Sequence, residues 1–251
     1  MNILTYHDDI GKPKQAQLIK MWEQTWKSQG FNPIVLSRND VKDDAYFNEF
    51  TEQLHYIHNE ILECPVKPYG LTCYYRWLAY ARVMNEPGFV CDHDIINFNF
   101  PVDYAREVLN ENRDVLKFYH GTTPCFVSGP PNMFRKFCKD IIDITKKNLH
   151  LLRSTIGPHY NDQEFITYNR TDIFNQRSYV METCHHEHRL VYDYVHAPHI
   201  LNKSLIHMSH ASIDEQTRDK RVDNMNIETA RCIVIKNLLN LKDTFTTPIS
   251  S

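Results

Sequence analysis

The sequence predicts an α/β fold in one domain, and three observations predict it. Residues 2–36 run apolar strand, amphipathic helix, apolar strand, a βαβ unit that favours a parallel pair joined by a right-handed crossover. Residues 72–100 repeat the order helix, turn, strand and end that strand in Asp92-His93-Asp94. The length, 251 residues with 42% hydrophobic and 24% charged content, suits one sizeable domain and shows no repeat, linker or low-complexity tract.

The elements follow in order. Asn2–Tyr6 is an apolar first strand, with His7, Asp8 and Asp9 at its end. Leu18, Trp22 and Trp26 step by four along a helix that Gly30 ends. Phe31–Leu36 is the second strand; no G-x-G-x-x-G and no P-loop motif accompanies the unit. Residues 43–63 carry one or two helices, and Pro65 with Pro68-Tyr69-Gly70 makes a loop. The next helix repeats Tyr74, Trp77, Leu78, Ala81 and Met84 on one face, with Arg76 and Tyr80 on another. Pro87-Gly88 turns the chain into the apolar run Phe89-Val90-Cys91.

Asp92 and Asp94 come next. Alternate residues of an extended chain point the same way, so the two carboxylates can share a hard divalent cation, Mg²⁺ or Mn²⁺. The carboxyl end of such a strand is where open α/β sheets bind ligands. A solvated turn would carry the same two residues, and the bare spacing does not separate the two readings.

Downstream, a short helix covers residues 103–109, strands cover 114–119 and 124–128, and Gly129-Pro130-Pro131 breaks the second of these. Asn132 caps a helix with Met133, Phe134, Phe137, Ile141 and Ile144 on one face. Asn161 or Asp162 caps another. Cys184-His185-His186-Glu187-His188 lacks convergent zinc spacing and reads as a polar loop. Residues 190–195 and 204–208 are strands, and His207 and His210 follow in LIHMSHAS. A charged stretch precedes a last amphipathic helix through Ile227, Ile233 and Leu238.

Composition removes several classes. Lys and Arg number 28 against 31 Asp and Glu, a net charge of −3, so no basic surface argues for nucleic acid. Seven cysteines without a C-x-x-C pair suit reduced thiols. The N-terminus lacks a signal-peptide pattern and no run approaches membrane-spanning length, so a soluble cytoplasmic protein is expected.

The helix YYRWLAYAR (residues 74–82), the turn Asn85-Glu86-Pro87-Gly88, the apolar strand and the DHD resemble the donor-site segment of DxD-containing glycosyltransferases of the GT-A type. They are most similar to the small bacterial, phage and viral members. The family's helix usually ends in Gly-Gly, which this chain lacks. The resemblance implies a GT-A-like, mixed, mostly parallel central sheet flanked by helices. Residues 1–100 would form the donor half and 101–251 the acceptor half. It implies sugar transfer from a nucleotide diphosphate, in particular a UDP-sugar, to a hydroxyl of a glycan or other acceptor. Thr5, Tyr6 and His7 would cradle base and ribose, and Arg76 would pair with a carboxylate or phosphate. Asp92, Asp94 and a late histidine (His207, with His210 as fallback) would hold Mn²⁺ or Mg²⁺. Ser128 would line the sugar pocket, and Asp162 would be the general base of an inverting reaction. Two rival readings stay open: a metal-dependent nucleotidyltransferase or phosphohydrolase, and a non-catalytic nucleotide-sugar-binding protein.

Overall fold

The computed structural model describes residues 1–8, 15–63, 66–111, 113–152, 160–182, 190–194, 205–209 and 227–246. His210, Pro65 and the Cys184–His188 cluster lie outside these described residues, as does the charged stretch before the last helix.

The strands are β1 (Asn2–Tyr6), β2 (Asn32–Leu36), β3 (Gly88–Cys91), β4 (Ile95–Asn97), β5 (Leu116–Phe118), β6 (Phe126–Gly129), β7 (Tyr179–Met181), β8 (Val191–Asp193) and β9 (Leu205–His207). The helices are α1 (Gln15–Ser28), α2 (Phe47–Tyr56), α3 (Pro68–Val83), α4 (Val102–Asn110), α5 (Pro131–Lys147), α6 (Leu149–Leu152), α7 (Asp162–Tyr168), α8 (Arg170–Phe174) and α9 (Ile227–Thr246). A six-stranded sheet of order β2-β1-β3-β6-β5-β7 forms the centre, and a three-stranded sheet of order β4-β9-β8 stands beside it. In the central sheet β1 pairs parallel with β2 and β3, and β5 with β7, while β6 runs antiparallel to β3 and β5. The mixed, mostly parallel sheet flanked by helices is therefore present.

Burial explains the arrangement. Trp22 and Trp26 of α1 are wholly buried, each side chain contributing about 1.5–3 kcal/mol by leaving water. Their indole N–H groups find partners at the start of the site: Trp22 Nε1 donates to Cys91 Sγ at 3.2 Å, and Trp26 Nε1 to the Ile95 carbonyl at 3.1 Å. On the opposite face, α3 packs against α5, and Trp77 lies 4.4 Å from Phe137 between ring centroids.

Three local expectations differ. Pro68-Tyr69-Gly70 is the first turn of α3, with Pro68 at its first position, where proline loses no helical hydrogen bond. Helix α3 buries Tyr75, Ala79 and Tyr80 as well as the Tyr74/Trp77 face, because sheet and α5 enclose it. Strand β6 does stop at the Gly129-Pro130-Pro131 break, with Gly129 as its last residue, but Pro130, not Asn132, precedes α5. Strand β7 escaped the sequence reading: three residues are too few for a period to show.

Gly129 is held to glycine by space. A Cβ there would stand 2.9 Å from both the Val115 carbonyl oxygen and Leu116 Cδ1. Gly129→Ala should destabilise the protein by about 1–3 kcal/mol, seen as a lower midpoint of chemical unfolding. An unchanged midpoint would mean that β5 and β6 are not this close.

Candidate functional site

The site forms where the two sheets meet. Cys91 ends β3, and the Asp92 N–H still pairs with the Cys125 carbonyl at 2.8 Å. A turn closes with Ile95 N–H on the Asp92 carbonyl at 3.0 Å and sends the chain into β4. Strand β4 runs antiparallel to β9 with Ile95 opposite His207, and the Met208 N–H binds the Asp94 carbonyl at 2.9 Å. Parallel pairing of β8 with β9 then sets Asp193 beside His207. Backbone register therefore delivers Asp92, Asp94 and His207 to one point, with one ligand atom from each within 4.8 Å of the others.

An arginine holds the turn from behind. Arg76, on α3, donates through Nη1 to Asp92 Oδ1 at 2.5 Å. It also donates through Nε and Nη2 to Asp162 Oδ2 at 2.9 and 2.5 Å. Trp77 Nε1 adds a third donor to the same Asp162 oxygen at 2.7 Å. Asn161 caps α7 in a capping box with Glu164, which fixes the backbone carrying Asp162. A second arginine, Arg231 on α9, is 1% exposed and donates to Asp94 Oδ2 at 3.0 Å. Asp94 Oδ1 turns the other way, 3.6 Å from His207 Nε2.

His207 is itself oriented. Its Nδ1 meets Asp193 Oδ1 at 2.9 Å, so Nε2 is the nitrogen facing Asp94. A carboxylate behind an imidazole is the usual support of a metal-binding histidine. The other Asp193 oxygen approaches His120 Nε2 at 3.1 Å. Burial opposes the charged form of both histidines, but Asp193 and Cys125 together raise His120 to about 10 and, with Asp94, carry His207 well above the ordinary range. Burial also pushes Asp92 up to about 6, against the pull of Arg76 and with the push of Asp94.

A cleft opens over these groups in two lobes. One, about 350 Å³, is lined by Tyr6, His7, Asp8, Thr72, His93 and Arg231 among others. The second, about 240 Å³, is lined by Thr123, Pro124, Asn161, Asp162, Gln163, His207 and Ser209. Tyr69, Cys73, Arg76, Asp92 and Asp94 line both, so the carboxylates stand at the junction.

The structure thus brings together Tyr6, His7, Arg76, Asp92, Asp94, Asp162 and His207. Thr5 and Ser128 are not brought there. Thr5 is wholly buried in β1, paired with Val35. Ser128 is wholly buried in β6 opposite Phe89, three residues short of Asp92, and its hydroxyl shares a 2.8 Å hydrogen bond with Tyr119. Asp162 reaches the cleft, but its side chain is 2% exposed and Oδ2 already takes three N–H donors, leaving that oxygen no approach for an acceptor hydroxyl. Sequence reasoning missed Arg231, Asp193, His120 and Cys125. Arg231 had left a trace, a guanidinium inside the apolar run of the last helix; Asp193 had left another, an acid inside a strand.

Arg76→Met should cost about 3–5 kcal/mol of stability, because it strands the buried Asp162 carboxylate and leaves the part-exposed Asp92 without its guanidinium. Arg76→Lys keeps the charge but not the fork, and should recover only part of the loss. Equal unfolding midpoints for wild type and Arg76→Met would show that this bridge is absent in solution.

No family model matches the chain, and no curated protein matches it. Among solved structures it is similar to a glycosyltransferase involved in the glycosylation of the major capsid of PBCV-1, at 12% identity and a TM-score of 0.41, over 94% of this chain and 98% of that one.

Proposed function

We propose that the protein is a metal-dependent glycosyltransferase that moves a sugar from a nucleotide diphosphate, in particular a UDP-sugar, to a hydroxyl acceptor. The observation that carries the reading is the convergence of Asp92, Asp94 and His207 at the junction of a two-lobed cleft. Two carboxylates and an imidazole are a donor set suited to Mn²⁺ or Mg²⁺. The set fits such an ion: each aspartate gives one oxygen to an arginine, Asp94 turns its second oxygen to His207, and Asp193 fixes the ring.

The ion would supply Lewis-acid stabilisation of the pyrophosphate as the glycosidic bond to it breaks. The chain's own residues do the rest. Arg231 and Arg76 border the junction and offer fixed positive charge to phosphate oxygens. Tyr6 and His7 stand at the carboxyl end of β1, where base and ribose would lie, and His93 meets His7 edge-on at 5.4 Å. The second lobe, opening past Asn161 and Gln163, would take the acceptor. Asp162 acts here as a positioning residue: it holds Arg76, and through Arg76 it holds Asp92.

Three measurements test this. A panel of nucleotide-sugars with Mn²⁺, read by thermal shift, should raise the melting midpoint for a diphosphate sugar, and Asp94→Asn should abolish the shift. No shift with any of them sinks the transferase reading; nucleotide turnover without an acceptor would replace it with a phosphohydrolase. Asp162→Asn should weaken donor binding together with turnover; full donor binding with turnover lost would make Asp162 the base after all.

The pH dependence has a worked sign. Asp92 is protonated in the folded protein at a higher pH than in the unfolded chain, so ionising it costs stability as pH rises towards about 6. A bound cation needs that carboxylate ionised. Mn²⁺ affinity should already fall as pH drops through neutrality, because His207 must give up its proton, and should fall more steeply below about 6, where Asp92 adds up to about tenfold per unit. A flat titration from pH 7 to pH 5 would exclude Asp92 as a ligand.

A further inference from the structure

His120, Cys125 and His207 form a second cluster directly behind the first, again with one ligand atom from each within 4.8 Å of the others. Cys125 and His207 are buried and His120 is nearly so. Asp193 stands behind both imidazoles, at Nε2 of His120 and Nδ1 of His207. Nδ1 of His120 and Nε2 of His207 are then the nitrogens left to ligate. Both ring nitrogens of His120 are shielded from solvent, and the ring interacts with Asp193 and Cys125. Two imidazoles, a thiol and a supporting carboxylate in one dry corner are a donor set of the kind that holds zinc.

We propose that His120, Cys125 and His207 form a site for a soft divalent ion, Zn²⁺ in class, and that this site and the Asp92/Asp94 site exclude each other because they share His207. The softness of the donors decides the ion: thiolate and imidazole favour Zn²⁺ and Co²⁺, whereas carboxylates favour Mn²⁺ and Mg²⁺. Binding releases to solvent each proton held on Cys125 Sγ, His120 Nδ1 and His207 Nε2 as those atoms bond the metal. Nε2 of His207 faces Asp94 and can serve one ion at a time. Resting on the transferase reading above, Zn²⁺ then becomes an inhibitor that withdraws His207 from the donor's ion.

Co²⁺ is the probe, added to the full chain without nucleotide or acceptor. One equivalent should give a thiolate-to-cobalt absorption in the near ultraviolet. Cys125→Ser should abolish it, and His120→Asn should weaken Co²⁺ binding by at least about tenfold. Mn²⁺ added to the cobalt-loaded protein should keep the paramagnetic resonance signal of the free aqueous ion. An absorption missing from the wild type, or surviving in Cys125→Ser on another thiol such as Cys73, overturns the site. Full Mn²⁺ binding beside cobalt overturns the sharing. A failure of nucleotide-sugars to bind sinks the transferase reading and leaves the cobalt spectrum untouched, so the two failures are told apart.

Discussion

A guanidinium shared by two carboxylates is the constraint from which the site follows. Arg76 joins Asp92, at the end of β3, to Asp162, at the start of α7. The two acids are far apart in sequence, and neither lies on the helix that carries the arginine. Removing a guanidinium from water costs several kcal/mol, which only close, multiple hydrogen bonds offset. The bridge therefore selects one placement of three elements, α3, the DHD turn and α7, and resists drift in any of them. Trp77, the next residue on α3, adds a donor to the same Asp162 oxygen and buries its ring against α5. Core packing and site geometry are one system on this side of the cleft.

The other side is held by backbone register. The small β4-β9-β8 sheet has three residues in each strand, yet its two ladders place His207 opposite Ile95 and beside Asp193. Ladder hydrogen bonds fix that placement more firmly than side-chain contacts alone would, because a slip of one residue would turn His207 to the other face. Arg231 arrives from α9 and meets Asp94 across 137 positions of sequence. Thus each aspartate of the DHD has its own arginine, and each arginine comes from a different helix.

What the sequence made legible was local. The βαβ start, the α3–β3–DHD run and the capped α7 all rest on periodicity and turn chemistry within about 30 residues, and all three are present. The pairing of Asp92 and Asp94 with a late histidine came from a family resemblance, and the geometry unites the three. Long-range register was illegible. Nothing near Asp193 or His120 announces that they flank His207, and nothing near Ser128 announces that its pairing with Phe89 keeps it inside the sheet. Asp162 shows the limit most clearly. Its place at a helix start was readable, but its occupation by Arg76 and Trp77 depends on α3 packing against it in three dimensions.

Charge accounts for why the cleft would take a cation and a pyrophosphate together rather than either alone. Asp92, Asp94 and Asp162 face Arg76, Arg231 and a His207 held towards its charged form, so the junction is balanced with its arginines already engaged. A bare pyrophosphate would bring unbalanced negative charge and compete with the aspartates for the same guanidinium groups. A cation alone would displace the His207 proton, and the aspartates and His207 would leave coordination positions for other oxygens. Entering with its cation, a pyrophosphate would bring little net charge and fill those positions. Under the proposed transferase reading, the carboxylate–arginine pairs would be the resting state that a metal–diphosphate enters as a unit, and Asp193, which holds the His207 ring, would keep the last ligand aimed before the ion arrives.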